Sequence, residues 1–529
     1  MTRPGRAPKS LVAALLALGL VALGPTPRLL AASSPVPLST TGETLSILMS
    51  DVSLPDKSFN RDVFPILLAL EKATGVHIKI EALGSFSYGD VLQTRLAEGT
   101  NLPDMILVGN GFDTVRLGKA GTILPLQDLI ARNAPEMVAL MKKYPDIPGA
   151  ITDPNGTIWG WPARVSEWDA QFSQWGPGFR YDWAHKLGLP EPRSIADWEA
   201  MLTAFRTRDP NGNGRADEIP FGGEVDLLGY SFAQAFNLSR WSNWWSVQNG
   251  RVDYDFVGFN SENARAWLAT MNRWYQKGLL DPDLLIPHGD KAEAQIQSGQ
   301  VGATGRWNPS WDAYNEQMKA SSPGVKWLAA FPATGPGGLG GVAEKYPAVN
   351  RDRILVTKSA KNPALVIRWL NYLFATEAGQ RLFNFGVEGL TYTLVDGKPR
   401  FTDVILHNPK YANPSLAMAS FGADRFPSFV LPDAFAQVTS FMPPESLARL
   451  AKFKTRFFFP EPTMTPEEST AYNARMADIQ NYVDEMVGKF IVGSEPLSSY
   501  PGFVARLRSM GIDDATRLKQ TLFDRFSHR

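Results

Sequence analysis

The chain lacks cysteine altogether and contains only five histidines among its 529 residues. Without cysteine it can form no disulfide, no thiolate zinc site and no cysteine nucleophile, and no lipidated cysteine can tether it to a membrane. The histidines are scattered over the whole length, which disfavours a histidine metal centre; they are His77, His185, His288, His407 and His528. Any metal ion would therefore have to be bound by oxygen ligands.

An excess of charge of either sign is also absent. Lysine and arginine together number 53, as do aspartate and glutamate, so the formal net charge is zero. Such a chain has no overall field to attract nucleic acid or an anionic membrane. A charged ligand would have to be recognised by local groups.

Long apolar runs are scarce, and the only prominent one is Leu11–Leu23 near the start of the chain. Arg3, Arg6 and Lys9 precede it and small residues follow it, which is the pattern of a secretory signal. The run is short for a membrane span, and no later stretch is long and apolar enough to be one. We therefore expect residues 1–32 to be a signal peptide and the protein to be exported to the periplasm or the extracellular space, without a lipid anchor on cysteine.

Several catalytic motifs are missing as well: there is no Gly-x-Ser-x-Gly elbow, no His-Glu-x-x-His and no Gly-x-x-x-x-Gly-Lys phosphate loop. A pair of carboxylates at catalytic separation cannot be judged from sequence, because the chain contains 53 acidic residues. We expect no enzyme. The alternative is a secreted, calcium-dependent polysaccharide lyase or glycoside hydrolase.

Among the features that are present, the segment 209–218 is the most informative. Asp209, Asn211 and Asn213 place side-chain oxygens where positions one, three and five of an EF-hand loop supply calcium ligands, and Gly214 stands at the sharp turn. A simple polar turn is the alternative interpretation. The long alternation of oxygen-bearing residues favours a calcium site.

The loop departs from an EF-hand at its end. The twelfth position is Pro220 instead of glutamate, so closure of the site falls to two adjacent acids, Asp217 and Glu218. This indicates a rigid structural calcium site and not a helix-loop-helix sensor. The predicted ligands are Asp209, Asn211, Asn213, Arg215 through its carbonyl, Asp217 and Glu218.

The first part of the mature chain alternates between strand and helix patterns. Such alternation predicts a parallel sheet with helices on both faces, and the ligands of open parallel sheets bind beyond the carboxyl ends of the strands. The loops after Met49 and Val108 are therefore candidate walls of a cleft. The predicted elements are strand 44–49, helix 64–74, strand 76–81, helix 88–98 and strand 102–108. Near the other end, residues 472–490 have the spacing of a helix with one buried stripe.

Five segments together, by their order and spacing, resemble the extracellular solute-binding proteins of sugar ABC importers, in particular the branch that binds alginate and related oligosaccharides. These are Gly156–Pro162, Phe179–Pro190, the loop 209–218, Val349–Ala375 and Asn384–Thr393. The loop is the segment that points to the branch.

The resemblance implies an α/β protein with the two-lobed periplasmic-binding-protein fold, in which each lobe has a mixed, mostly parallel sheet flanked by helices and the C-terminal part is helical. It assigns residues 43–160 and 350–400 to lobe one, and 161–349 and 401–529 to lobe two. Closure of the lobes on a ligand would present the loaded, monomeric protein to an ABC permease in the cytoplasmic membrane.

Candidate ligand-binding residues are aromatic and polar side chains beside the crossovers and strand ends. Indole faces suit the apolar side of a sugar ring, while arginine and asparagine suit hydroxyls or a uronate. Ordinary packing accounts equally well for any single tryptophan, and an ion pair for the arginine. Residue type selects Trp168, Trp244, Trp245, Arg306, Trp307, Asn308 and Trp311, and the resemblance alone adds Glu388 and Tyr392.

The expected function is capture of an oligosaccharide in the cleft between the lobes and delivery to the permease. Uronate-containing chains are the leading ligands, and neutral oligosaccharides are the alternative. A binding protein for a peptide or another solute that is not a sugar remains a further alternative.

Overall fold

The computed structural model describes residues 37–527 apart from 53, 55, 110–111, 167–172, 174, 287–288, 346, 351, 412, 440–441 and 458–463. The expected signal peptide lies outside the described residues. Within them, no helix is both long enough and apolar enough to cross a membrane.

The chain begins with the predicted alternation of strands and helices. Helix α1 ends at Gly75, which has a φ of 68° and donates its N–H to the carbonyl of Glu71. Pro135 separates two helices because it cannot continue the hydrogen bonding of the first. The elements are β1 (Thr44–Ser50), α1 (Pro65–Thr74), β2 (His77–Leu83), α2 (Ser85–Glu98), β3 (Met105–Val108), α3 (Thr114–Lys119), α4 (Gln127–Asn133), α5 (Pro135–Lys143), α6 (Asp146–Ile151), β4 (Trp161–Pro162) and β5 (Arg164–Val165).

The next segment, from residue 173 to 345, builds a second unit around the sheet β10-β6-β9. Both pairs in this sheet are antiparallel. It therefore departs from the mostly parallel arrangement expected for lobe two, because β6 and β9 are joined by a long excursion and not by a single crossover helix. The elements are β6 (Trp175–Arg180), α7 (Tyr181–Lys186), α8 (Ile195–Thr207), α9 (Val225–Phe232), β7 (Trp245–Gln248), β8 (Arg251–Tyr254), α10 (Ser261–Gln276), α11 (Gly289–Gln297), β9 (Ala303–Trp307), α12 (Ser310–Met318), β10 (Trp327–Ala329) and β11 (Ala343–Lys345), with 3-10 turns at Ala233–Phe236, Arg240–Ser242 and Pro336–Gly338.

The chain then returns to the first unit. Strand β12 enters the first sheet between β3 and β4, antiparallel to both, which completes the order β2-β1-β3-β12-β4. The pairs of β1 with β2 and β3 are parallel, as predicted. The elements are β12 (Arg353–Val356), α13 (Pro363–Ala375), α14 (Glu377–Phe385), β13 (Tyr392–Val395), β14 (Lys398–Phe401), α15 (Asp403–Leu406), α16 (Pro414–Met418), β15 (Ser428–Phe429) and α17 (Pro432–Val438), with a π-helical turn at Ala419–Ala423.

The last segment belongs to the second unit and is mainly helical, as expected. Its longest helix, α19, packs against α10 and α21. The elements are α18 (Pro444–Leu450), β16 (Thr455–Phe457), α19 (Pro466–Val492), α20 (Tyr500–Ser509) and α21 (Ile512–Ser527), with a 3-10 turn at Leu497–Ser499.

Each main sheet has a hydrophobic cluster on either face. In β1, Ile47 and Met49 join one cluster while Leu48 joins the other, and in β12 the neighbours Ile354 and Leu355 divide in the same way. This division follows from the two-residue repeat of a strand. Helices therefore cover the first sheet on both faces. A ligand would bind at the ends of its strands.

The boundary between the units differs from expectation after residue 400. Phe401, Ile405, Phe426 and Phe429 pack in the first unit's main cluster, so residues 401–438 belong to that unit and not to lobe two. Met442 is the first residue after this segment to join a cluster of the second unit. The described residues therefore pass from one unit to the other three times, between 166 and 173, between 345 and 349, and between 439 and 442.

Candidate functional site

A cleft of about 1010 Å³ lies between the two units. Helices α2 and α3 of the first unit form one wall, and helix α19 with part of α21 forms the opposite wall. The loop after Val108 was expected to border a cleft, and it leads into Phe112 and Asp113, which line this one. The cleft therefore lies beyond the carboxyl end of a strand in the parallel part of the first sheet.

Uncharged polar groups are found on both walls. Gln93 and Thr114 are contributed by the first unit, and Asn243, Ser469 and Gln480 by the second. Amides and hydroxyls both donate and accept hydrogen bonds, so they can pair with a ligand rich in hydroxyl groups.

Apolar side chains alternate with these polar groups. Leu96 and Phe112 lie on the first wall, and Met464 and Met476 on the second. A surface of this kind covers the C–H faces of a sugar ring, while the neighbouring polar groups bind its hydroxyls.

Two side-chain contacts join the walls directly. Asn473 on α19 donates a hydrogen bond of 2.9 Å to the carboxylate of Asp113. Lys119 at the end of α3 forms an ion pair with Glu467 at the start of α19. We refer to these two contacts as the α3–α19 bridge.

The charged residues on the cleft walls are engaged with protein groups. Asp113 caps α3 by accepting the backbone N–H of Arg116 at 2.9 Å and is also held by the α3–α19 bridge. Lys519 is only 2% exposed, and its ammonium lies 4.8 Å from the ring centroid of Tyr472 and 5.9 Å from that of Trp245. The indole N–H of Trp245 donates to the Tyr472 hydroxyl at 3.0 Å, which fixes this group of rings.

A half-buried aromatic cluster, formed by Trp175, Tyr230 and Trp241, lies outside the set of residues that line the cleft. The ring of Trp241 lies 4.2 Å from that of Tyr230 and 5.6 Å from that of Trp175, measured between centroids. Asn243, two residues beyond Trp241, lines the cleft. Sequence reasoning missed this cluster, although Trp241 stands beside the same polar turn that drew attention to the tryptophans following it.

Trp244 and Trp245, which were predicted to bind ligand, are instead part of the second unit's core, at 2% and 1% exposure. The Trp244 ring packs against Phe256 and Trp267, with centroids 4.9 and 5.3 Å away. Their ring faces are covered by protein, so packing accounts for both residues. Trp168, predicted in the same way, lies outside the described residues.

Arg306 and Trp307 lie on β9 and are partly exposed. The Arg306 guanidinium donates to the carbonyl of Gly305 at 2.9 Å and lies 3.9 Å from a carboxylate oxygen of Glu293. This placement fits the alternative of an ion pair. Trp307 is paired across the sheet with Trp175, which belongs to the aromatic cluster.

Asn308 and Trp311 are buried at a joint between the second sheet and the first crossover. The Asn308 amide donates to the carbonyl of Ser173 at 2.8 Å, and its oxygen accepts the indole N–H of Trp311 at 3.2 Å. The Trp311 ring is stacked on Trp327, with centroids 5.7 Å apart. Both predicted ligand residues therefore hold the protein together at this point.

Glu388 and Tyr392, suggested by the resemblance alone, lie in the first unit beside the β13–β14 hairpin. Tyr392 is 4% exposed, and its hydroxyl is 3.5 Å from the carboxylate of Glu388, which is exposed. Neither residue is among those lining the cleft.

The predicted calcium loop forms a tight, internally bonded turn after α8. Asp209 accepts the backbone N–H groups of Gly212, Asn213 and Gly214 at 2.9 to 3.1 Å. Gly214 has a φ of 75°, as the sharp turn requires. The side chain of Asn213 donates to Asp217 at 3.0 Å, which lowers the pKa of that carboxylate.

Glu218 is the residue that best fits a bound cation. It is 5% exposed, and its Oε1 atom has no hydrogen-bond partner. Burial raises the pKa of Glu218, and the nearby charges of Asp209 and Asp217 raise it further. A cation among these three carboxylates would supply the missing partner.

The acids alone do not make a compact metal site. Among the described residues, no group of three or more His, Cys, Asp and Glu side chains is arranged to hold a metal ion. The loop would need its two asparagines and the Arg215 carbonyl to complete the coordination, as the sequence pattern indicates.

The sequence profile of the bacterial extracellular solute-binding protein family matches residues 60–380. The chain is 25% identical over 514 residues to the fructooligosaccharide ABC transporter substrate-binding protein FusA of Streptococcus pneumoniae serotype 4, covering 92% of this chain and 90% of FusA. It is also 25% identical over 377 residues to lipoprotein LipO of Bacillus subtilis, covering 68% of each.

Solved structures share the fold. The alginate-binding protein AlgQ2 without calcium ion gives a TM-score of 0.76 at 24% identity, covering 93% of this chain and 100% of AlgQ2. FusA in complex with kestose gives 0.75 at 23% identity, covering 92% and 100%. An EF-hand mutant of FusA in complex with fructo-nystose also gives 0.75, at the same identity and coverage.

Proposed function

The chain belongs to the bacterial extracellular solute-binding protein family, and on this premise we propose that it is the substrate-binding component of an ABC importer and captures an oligosaccharide between its two units. The cleft of about 1010 Å³ carries the proposal. Its size is at the upper end of the range of about 300–1,000 Å³ usual for small-molecule pockets, which leaves room for more than one sugar ring.

Binding energy would drive closure of the cleft. The two walls belong to different units, which are connected by three chain crossings. A ligand that contacts both walls binds the closed arrangement more tightly than the open one, so it shifts the population towards closure. The closed, loaded protein is the form that a permease would accept.

The aromatic cluster is our candidate for ring stacking. Trp175, Tyr230 and Trp241 are half-buried, so part of each ring remains accessible, and Trp307 lies next to them on the sheet. Trp168 remains a prediction for the same role, and it lies outside the described residues.

We further propose that the loop 209–218 binds structural calcium. The bonding of Asp209 to three backbone N–H groups and the unpartnered oxygen of Glu218 support this assignment. The EF-hand present in FusA, a relative along most of its length, supports it too. Calcium would offset most of the negative charge of the three acids and fix the loop after α8, which does not line the cleft.

Export by the signal in residues 1–32, a monomeric state and the permease partner are also part of the proposal. The protein would work outside the cytoplasmic membrane, without an anchor on cysteine and without catalysis. The apolar run with its basic flank supports export.

Isothermal titration calorimetry with oligosaccharides, followed by analysis of the recovered sugar, tests this function. We expect saturable binding with one site and an intact ligand. Cleaved sugar would favour a lyase or glycoside hydrolase instead. Absence of binding by every sugar, with binding of a peptide, would show that the solute is not a carbohydrate.

A further inference from the structure

We propose that the cleft selects an uncharged oligosaccharide over a uronate-containing one; this inference rests on the proposed function and names its substrate class. It departs from the uronate ligands that the sequence alone favoured.

Most of the polar side chains that line the cleft are neutral. Gln93 and Asn243 are exposed, one on each wall, and Gln480 on α19 is half-buried, with its amide donating to the carboxylate of Asp484 at 2.8 Å. Such groups exchange hydrogen bonds with hydroxyls but supply no full positive charge to a carboxylate.

The cations near the cleft are poorly placed to receive an acid group. The ammonium of Lys519 lies against two aromatic rings, and the residue is 2% exposed. The side chain of Arg116 is 65% exposed, with its Nε 4.0 Å from the carboxylate of Asp113. A carboxylate reaching either group would have to displace packed rings or approach an existing anion.

Arg306, the residue that sequence reasoning chose for a uronate, does not line the cleft. Its guanidinium lies between the Gly305 carbonyl and the Glu293 carboxylate. The cation best suited to an acidic sugar is therefore directed to protein groups.

The free-energy cost of desolvation favours the uncharged class of ligand. A carboxylate transferred from water into a closing cleft needs a paired cation, because an unpaired buried charge is very unfavourable. Transfer of a hydroxyl from water costs much less free energy, and amide groups on both walls can hydrogen-bond to it. The apolar residues Leu96, Phe112 and Met476 then cover the C–H faces of the rings.

The test compares ligands that differ only in charge. Calorimetry on the full-length mature protein would use trigalacturonate, its carboxyl-reduced counterpart and the neutral trisaccharide kestose, within a broader neutral panel. We expect at least one neutral sugar to bind more than about tenfold tighter than trigalacturonate. The affinity for a neutral sugar should change little between low and high salt, since no ion pair is formed.

A charge placed on the wall gives a second test. Gln93→Lys should increase the affinity for trigalacturonate severalfold relative to the affinity for the neutral ligand. Thr94→Lys is the matched control, because Thr94 is exposed on the same helix and does not line the cleft. An increase with Gln93→Lys alone supports the inference.

Tighter binding of trigalacturonate than of every neutral sugar by the unmodified protein would overturn the inference while leaving the proposed function intact. Equal effects of the two lysine variants would also overturn it, since the wall would then not be the binding surface. Failure of the entire sugar panel to bind would overturn the proposed function itself.

Discussion

At the scale of single residues, Asp312 is the clearest case of a carboxylate in an unfavourable environment. It lies on α12 at 6% exposure and accepts one hydrogen bond, at 2.9 Å, from the hydroxyl of Ser446 on α18. Burial raises the pKa of Asp312 to about 6, against an opposing effect of the Ser446 hydroxyl. Its ionised form therefore destabilises the fold at neutral pH.

Asp312→Asn should stabilise the protein at neutral pH. The folded pKa is raised above the unfolded value of about 3.9, so the destabilisation is absent below about pH 4, grows between pH 4 and pH 6 and is constant above. At about 1.4 kcal/mol per pKa unit, the gain at pH 7.5 has an upper limit of about 3 kcal/mol. Chemical denaturation at pH 4 and pH 7.5 measures it.

The control for this prediction is Asp128→Asn on α4, where the side chain is 75% exposed and 3.7 Å from Arg132. This variant should be nearly neutral at both pH values. A stability difference for Asp312→Asn that does not change with pH would contradict the role assigned to its ionisation.

Asp209→Ala should abolish any stabilisation by calcium. In the unmodified protein, calcium at about a hundred times its dissociation constant should stabilise the fold by about 2.7 kcal/mol. Chelation should lower the melting temperature accordingly but leave sugar binding intact at a temperature where the protein is folded. Thermal denaturation with and without chelator measures both effects, with Asp128→Ala as the control; a calcium-independent melt of the unmodified protein would refute the metal site.

At the scale of elements, helix α19 carries a strong start signal at its N-terminal end. Thr465 and Glu468 form a capping box, and Pro466 occupies the first turn. The Glu468 carboxylate also pairs with Arg525 on α21, so one residue both caps a helix and binds its neighbour. The sequence pattern predicted the middle of this helix, and the structure extends it at its N-terminal end to Pro466.

Thr465→Ala should lower the free energy of unfolding by about 1 kcal/mol, because the cap hydrogen bond to the Glu468 N–H is lost. Thr470→Ala is a suitable control, since that hydroxyl bonds only to the Pro466 carbonyl within the first turns. Urea denaturation compares the two. A larger loss in the control would mean that the cap contributes little.

Prediction of elements succeeded where local signals were strong. Gly75 ends α1, where the predicted helix 64–74 stops, and Pro135 divides α4 from α5. The strand pairing of the second sheet was harder to predict, because β6 and β10 are far apart in sequence. No local pattern distinguishes an antiparallel partner from a parallel one. Pairing over such distances depends on the tertiary arrangement.

At the scale of the whole molecule, the two units meet both at the chain crossings and at the α3–α19 bridge. The crossings are anchored on the second unit by buried polar contacts: Ser173 donates to the Glu344 carbonyl at 2.8 Å, and Ser239 donates to the Glu344 carboxylate at 2.6 Å. The bridge is more exposed, with Lys119 and Glu467 at 52% and 72%. A change in the angle between the units would therefore break the bridge before the anchored crossings.

Lys119→Glu should favour the open arrangement by placing like charges opposite each other. Because the pair is exposed, the loss of ligand affinity should be less than about fivefold. The radius of gyration of the ligand-free protein, measured by small-angle X-ray scattering, should increase slightly. The double variant Lys119→Glu, Glu467→Lys restores opposite charges and should reverse both effects; failure to do so would show that the bridge does not hold the units together.

The sequence by itself determined the features that depend on local chemistry. The alternating apolar pattern of β1, the end of α1 at Gly75, the start of α5 at Pro135 and the tight turn from Asp209 to Gly214 are all readable from neighbouring residues, since they follow from backbone geometry and side-chain type.

Only the tertiary structure decided which residues face the cleft. Asn243 and Trp244 are adjacent in the same turn, yet the first lines the cleft and the second is enclosed by Phe256 and Trp267. Likewise, the sequence of residues 401–438 is compatible with either unit. They belong to the first because their apolar side chains pack in the same cluster as those of α13 and α14. Burial is settled by contacts between segments distant in sequence, and a pattern within one segment cannot encode them.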